Sequence, residues 1–153
     1  MNTEASVRRL ARILAVQALY LMHVGDDPAA TAIRIAIRLS NDEEPTEDPP
    51  ELPYAKKLVG DVDRERVLID QLLGASGTRW RVDRMSPLDL QILRVAVAEL
   101  RAGTKDLPAP VVIDEAVEVA REFGGKDSTG FVNGVLDAVA RELRAKHMNA
   151  GTE

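Results

Sequence analysis

Apolar residues recur along this chain at the spacing of an α-helix, and no stretch alternates convincingly between apolar and polar residues. This periodicity predicts an all-α protein. The segment from Ile13 to Met22 is apolar on most sides, which is typical of a central helix surrounded by others. We expect a single domain over residues 1–153, a compact bundle of about six to seven helices in two packed subdomains. The expected helices cover residues 7–24, 29–39, 54–73, 80–85, 87–102, 111–123 and 127–143.

Capping residues and glycines mark several helix ends. Asp27 and Pro28 suit the N-cap and the first position of the second helix. Gly60 is a candidate break, and the segment GASG at 74–77 is a candidate boundary between the subdomains. Gly134 lies within the last expected helix, where glycine costs about 1 kcal/mol relative to alanine, and this favours a close approach to another helix. Further caps and stops are Ser86, Pro87, Gly103, Pro108 and Gly124.

One short segment accounts for the net charge of −5. Residues 41–53, NDEEPTEDPPELP, contain six acids and no base, whereas the other residues together carry one net positive charge. Its four prolines predict a mobile acidic loop, and residues 148–153 are expected to form a flexible tail. The acidic total therefore does not exclude a nucleic-acid partner.

Cysteine is absent, which excludes disulfides, thiolate metal sites and cysteine nucleophiles. This absence fits a reducing cytosol, so we expect a cytoplasmic protein without a metal or a cofactor. The run RRLARILAVQALYLM places arginines before apolar residues, as signal peptides do. Gln17 interrupts the run, no small-x-small cleavage pattern follows it directly, and it is too short and too polar to span a bilayer.

Four acids, Asp114, Glu115, Glu118 and Glu122, lie on one expected helix. Carboxylates one turn apart can hold a metal or act as an acid and base pair. We favour the alternative, the solvated face of an amphipathic helix, because no Glu-x-x-His motif occurs in the chain. No glycine-rich phosphate loop or nucleophile elbow is recognisable either. We therefore expect no enzymatic activity.

Arg8, Arg9 and Arg12 give the first helix a basic start. Arg8 and Arg12 lie one turn apart, where like charges repel by roughly a few tenths of a kcal/mol, and a nearby anion would remove that cost. Phosphate is a common anion for arginine clusters because the planar guanidinium donates to two oxygens at once. The alternative is that these arginines solubilise the end of an apolar helix. Arg34 and Arg38 repeat the spacing.

The start of the last expected helix offers groups for both an anion and a base. Its N–H groups and dipole favour anions around residues 125–130, next to Lys126. Asp127 can accept a hydrogen bond from a base or a sugar hydroxyl, and an exposed Phe131 would stack on an unpaired base. Phe131 lies at the edge of the apolar stripe, so packing against neighbouring turns is the open alternative. With the arginines, these groups are typical of a single-stranded RNA site.

Three segments carry a family resemblance. They are RRLARILAVQALY, WRVDRMSPLDLQILRVAVAEL and LPAPVVIDEAVEVAREFGGKDSTGFVNGVLD, which together cover 65 residues. In order and separation they resemble the NusB family of transcription antitermination proteins. The resemblance implies a two-lobed helical protein that binds the boxA element of nascent ribosomal RNA together with NusE, a small-subunit ribosomal protein. It also implies that the pair joins RNA polymerase to suppress termination.

The resemblance also implies residue roles. Arg8, Arg9 and Arg12 would bind RNA phosphates, and Asp127 and Phe131 would face the bases. The positions expected to meet NusE are Tyr20, Asp89 and Glu115. A homodimer that buries the arginines is possible in the family, so a monomer and a homodimer both stay open. We expect folding to bring the basic start of the first helix beside the start of the last.

Two features depart from the family pattern. Leu10 interrupts the basic run, and residues 41–53 align with nothing in the family. A protein-only scaffold with a NusE-like partner therefore stays the main alternative. An accessory domain of a ribosomal RNA methyltransferase is disfavoured, because about ten residues follow the last expected helix, and an enzyme in its own right ranks last.

Overall fold

A computed structural model describes residues 3–40, 48–75, 85–103 and 106–150, which contain six α-helices and no β-strand. The all-α prediction is confirmed. Residues 80–84 of the helix expected at 80–85 and residues 41–47 of the acidic segment lie outside the described residues. The helices are α1 (Glu4–Gly25), α2 (Ala29–Ser40), α3 (Leu52–Ala75), α4 (Pro87–Ala102), α5 (Ala109–Phe123) and α6 (Ser128–Ala150).

The chain divides into two structural units, residues 1–64 and 65–153. The expectation of two subdomains is confirmed, but the boundary proposed at 74–77 is wrong, because the division falls within α3. The break proposed at Gly60 is also wrong, since α3 runs through it without interruption. A Cβ at Gly60 would meet nothing within 4 Å, so the helix does not depend on glycine there.

The first unit is built on close packing between α1 and α2. Alanines on both helices are fully buried, and such small side chains allow two helices to approach closely. The Thr3 hydroxyl caps α1 by accepting a 3.1 Å hydrogen bond from the Ser6 backbone N–H. At the start of α2 the Ala32 N–H donates to the Pro28 carbonyl, so the N-cap is Pro28, one residue later than the expected Asp27. The buried alanines are Ala11, Ala15, Ala18, Ala32 and Ala36.

The second unit is organised around α4, which packs against both α5 and α6. Every residue from Leu90 to Glu99 is buried, as expected of a helix in a core. Its ends match the sequence prediction: Ser86 caps the start by accepting from the Asp89 N–H at 3.2 Å, and Gly103 ends the helix with a φ of 59°.

Arg94 is a buried cation on α4, and Asp70 on α3 neutralises it. Its Nε and Nη2 donate to the two carboxylate oxygens of Asp70 at 3.0 and 2.9 Å, a bidentate arrangement. A second ion pair joins Arg101 of α4 to Glu65 of α3 at 2.8 Å. These two ion pairs therefore connect the second half of α3 to α4.

The connection from α5 to α6 is tight. The Gly124 N–H closes α5 on the Ala120 carbonyl at 2.8 Å. A Cβ at Gly124 would lie 2.6 Å from the Ser128 Cβ and 2.7 Å from the Ala120 carbonyl oxygen. Its φ of −85° suits any residue, so the need for glycine here is steric. Gly134 is the opposite case: the expected close approach is wrong, because a Cβ there would meet nothing within 4 Å.

We predict that Gly124→Ala destabilises the protein by about 1 to 3 kcal/mol, because backbone as well as side-chain atoms must move to admit the methyl group. The matched control is Gly134→Ala, which should raise stability by about 0.5 to 1 kcal/mol by favouring the helix. Urea unfolding followed by circular dichroism measures both changes. Equal effects of the two substitutions would contradict the proposed packing.

We also predict that Asp70→Ala lowers the free energy of unfolding by about 1 to 3 kcal/mol, because it leaves the Arg94 guanidinium buried without its counter-charge. The control is Glu118→Ala, which breaks the exposed Arg121–Glu118 pair on α5 and should cost less than about 0.5 kcal/mol. The same unfolding experiment applies. A smaller loss for Asp70→Ala than for the control would show that the buried pair does not hold α3 to α4.

Candidate nucleic-acid interface

The basic start of α1 is more organised than the sequence suggested. The Nη2 atom of Arg8 lies 3.1 Å from a carboxylate oxygen of Glu4, one turn earlier on α1. The Arg8 Cζ atom lies 5.9 Å from the centroid of the Tyr54 ring, within the range of a cation–π interaction. Glu4 is therefore an anion near Arg8 within the protein itself, and binding of an RNA phosphate at Arg8 stays a prediction. The Arg8 side chain is nevertheless 28% exposed, so part of it stays accessible.

The three arginines differ in exposure. Arg9 is exposed and also interacts within the protein. Leu10, which follows it, is 42% exposed. Arg12 is only 4% exposed and has an interaction within the protein, because the buried part of α1 begins at Ala11. Arg8 and Arg9 are therefore the members of this group that present surface to a ligand.

Two reciprocal hydrogen bonds order the start of α6. The Gly125 N–H donates to the Ser128 hydroxyl at 2.9 Å, and the Ser128 N–H donates to the Gly125 carbonyl at 3.2 Å. The Phe131 N–H then donates to the Asp127 carbonyl at 3.2 Å, which makes Asp127 the N-cap. Lys126 and Asp127 are exposed. This short segment therefore presents a cation and a carboxylate from a backbone held in place.

Phe131 is half-buried in the first turn of α6 and interacts within the protein. Its neighbour Val132 is fully buried, as the apolar stripe predicts. The position at the edge of the stripe is confirmed, and the ring is neither sealed in the core nor fully open to water. The two groups of candidate RNA-binding residues belong to different structural units, so the expectation that they adjoin stays a prediction.

The residues expected to meet a protein partner lie on three helices. Tyr20 on α1 is 38% exposed, and Val24, one turn later, is 52% exposed. Asp89 lies in the first turn of α4 and is half-buried. Glu115 on α5 is half-buried and interacts within the protein, and Val111, one turn earlier, is 42% exposed. Tyr20 and Glu115 thus each have an exposed apolar neighbour on the same helix.

The acids of α5 do not gather around a site for a metal ion. Within the described ranges, no group of three or more His, Asp or Glu side chains is placed to hold one. Glu118 instead pairs with Arg121 on the same helix. A search of the described residues also found no helix that is both long and apolar enough to cross a membrane.

Sequence reasoning missed Tyr54. It lies in the first turn of α3, and nothing in its local pattern links it to Arg8. The usable signal was composition, since the chain has only two tyrosines, two phenylalanines and one tryptophan. With so few aromatic rings, a contact between one of them and a cation is plausible from the sequence, but only the fold shows that the cation is Arg8.

A family model described as the NusB family matches residues 9–141. The chain belongs to the NusB family. It is 40% identical to the transcription antitermination protein NusB of Myxococcus xanthus over 136 residues, covering 89% of this chain and 96% of that protein. The NusB protein of Geotalea uraniireducens is also 40% identical, over 92% of this chain and 99% of the relative.

Solved structures of the family share the fold. The T. maritima NusB structure is similar with a TM-score of 0.76 and 29% identity, covering 93% of this chain and 94% of that one. A crystal structure of the antitermination factors NusB and NusE in complex with double-stranded RNA is similar with a TM-score of 0.75 and 26% identity. That alignment covers 89% of this chain and 97% of the matched one. The family resemblance identified from the sequence is therefore confirmed.

Proposed function

We propose that this protein is a transcription antitermination factor that binds boxA-like single-stranded RNA together with a NusE-type ribosomal protein. The observation that carries the proposal is the 40% identity to NusB antitermination proteins over nearly their whole length. The similar structure of NusB with NusE and RNA supports both partners. The complex would act on RNA polymerase that transcribes ribosomal RNA.

We assign roles to the exposed groups of the two candidate surfaces. Arg8 and Arg9 on α1 and Lys126 at the start of α6 bind phosphates, because arginine and lysine supply the charge that RNA backbones require. Asp127 and Phe131 face the bases. We assign Arg12 no direct phosphate contact, because its side chain is buried and engaged within the protein. The positions proposed to meet NusE are Tyr20, Asp89 and Glu115.

The proposed activity is binding, without catalysis, in the cytoplasm. No cofactor or metal enters the proposal. The main alternative is a scaffold that binds the NusE-type protein and has little affinity for RNA. RNA titrations with and without that protein separate the two, since a scaffold binds the protein but shows no saturable binding of RNA.

The test uses a fluorescently labelled single-stranded boxA-like RNA and measures its affinity by anisotropy at several salt concentrations. A scrambled strand controls for sequence preference. A duplex of the same sequence controls for the form of the RNA, because the similar complex contains double-stranded RNA. We expect tighter binding of the single strand in the presence of the NusE-type protein. A preference for the duplex would contradict the single-strand assignment while leaving RNA binding intact.

We predict that Arg8→Ala and Arg9→Ala each flatten the dependence of log affinity on log salt by about 0.7, the slope expected for one phosphate contact on a single strand. The control is Arg144→Ala, which removes the same charge from an exposed position on α6, about 24 Å along the helix from Ser128. Its slope should equal that of the unmodified protein. If the unmodified protein and the three variants all show the same slope of log affinity against log salt, the assigned phosphate contacts are ruled out.

Phe131→Ala is predicted to weaken binding about 5- to 150-fold at every salt concentration, because stacking of one base contributes about 1 to 3 kcal/mol and does not release counterions. Phe131→Tyr keeps an aromatic face and should bind normally. Phe131→Leu fills much of the same space without a ring. If Phe131→Leu binds as well as the unmodified protein, the ring serves packing and not stacking.

A further inference from the structure

The start of α1 holds a three-residue cluster, Glu4, Arg8 and Tyr54, that the proposed function leaves unexplained. The ring of Tyr54 lies against the Arg8 guanidinium, and the Glu4 carboxylate lies at one of its terminal nitrogens. The Glu4 side chain is 82% exposed and Tyr54 is half-buried. All three residues belong to the first structural unit.

The two neighbours act on different parts of the guanidinium. An aromatic ring attracts a cation through its face and leaves the N–H edges of that cation available. A carboxylate accepts at those edges, which are also where a phosphate binds. Tyr54 and a phosphate can therefore hold Arg8 together, whereas Glu4 and a phosphate compete for the same donors.

The weakness of the exposed Glu4–Arg8 ion pair favours replacement of the Glu4 carboxylate by a phosphate. An exposed ion pair on a helix contributes little and is screened by salt. A bound RNA brings several phosphates at once, so it can displace Glu4 from the Arg8 edge. Contact with a half-buried ring on another helix does not occupy the N–H edges, so it can persist when a phosphate binds.

We propose that Tyr54 is a positioning residue that orients Arg8 for an RNA phosphate, and that Glu4 is the competing anion that the phosphate displaces. This inference rests on the proposed function, because it assigns the neighbours of a proposed phosphate contact. The inference extends the RNA site to α3. It predicts that Tyr54 strengthens RNA binding and that Glu4 weakens it.

The first experiment needs no RNA. Nuclear magnetic resonance of the free protein measures the chemical shifts of the Arg8 side-chain protons, which a nearby ring displaces. We expect the displacement to persist in Tyr54→Phe and to vanish in Tyr54→Leu. If the unmodified protein shows no such displacement of the Arg8 chemical shifts, the positioning role of Tyr54 is overturned, regardless of how tightly the protein binds RNA.

The second experiment is a double-mutant cycle with the single-stranded RNA and the NusE-type protein. Tyr54→Leu should weaken binding about two- to fivefold, the fold-change that corresponds to an exposed cation–π interaction. Tyr54→Phe should bind normally. In an Arg8→Ala background, Tyr54→Leu should change nothing further, because its effect passes through Arg8. Equal losses in both backgrounds would overturn the inference.

Glu4→Gln tests the competition. It should strengthen binding by more than Asp26→Asn does, although each change removes one acid. Asp26 is a suitable control because it is exposed at the far end of α1 and its φ of 61° is tolerated by asparagine. The excess gain should disappear in the Arg8→Ala background. Equal gains from the two changes would show that Glu4 acts only through net charge and would overturn its assigned role.

Failure of the inference can be distinguished from failure of the proposed function. If the unmodified protein shows no saturable RNA binding in the presence of the NusE-type protein, the proposed function fails. The positioning role of Tyr54 then fails as well, even if the Tyr54 ring changes the chemical shifts of the Arg8 side chain. If RNA binds and Arg8→Ala weakens it while Tyr54→Leu does not, the function stands and the inference falls. Thermal melting of each variant separates a loss of folded protein from a loss of affinity.

Discussion

The second structural unit depends on burying α4, a helix that carries a cation into the core. Arg94 is tolerated there because Asp70 accepts from two of its nitrogens, and the same contact fixes the second half of α3 against α4. α5 and α6 then pack on α4 and on each other. The backbone at the start of α6, with its exposed Lys126 and Asp127, therefore belongs to a helix that packs on both α4 and α5.

The first unit presents its charged groups differently. Between Ala11 and Leu19, α1 is largely buried through alanine-rich packing with α2, and its first two turns carry the accessible arginines. Arg8 is restrained by Glu4 and Tyr54 instead of moving freely in solvent. Restraint of this kind lowers the entropy lost when an anion binds, since fewer side-chain conformations are given up. An arginine restrained in this way is suited to binding an anion.

Local patterns predicted the helices well, because helical periodicity and capping depend on residues close in sequence. Ser86 and Gly103 were identified correctly as the ends of α4 for this reason. Contacts between distant residues were not predictable: Tyr54 meets Arg8 only after α2 and α3 have folded back, and the burial of Arg12 depends on the same packing. Gly124 and Gly134 show most clearly that the sequence does not reveal contacts between neighbouring segments. Gly134 was expected at a close contact, but Gly124 is the glycine that occupies one.

In the proposed complex with a NusE-type protein, RNA contacts the start of α1 and the start of α6. The most direct measurement is photo-cross-linking of that complex, with 4-thiouridine placed at successive positions of the single-stranded RNA and the linked peptides identified by mass spectrometry. We expect cross-links in the peptides that contain Arg8 and Arg9 and in the peptide that contains Phe131. Saturable RNA binding with cross-links only to other helices would contradict the claim.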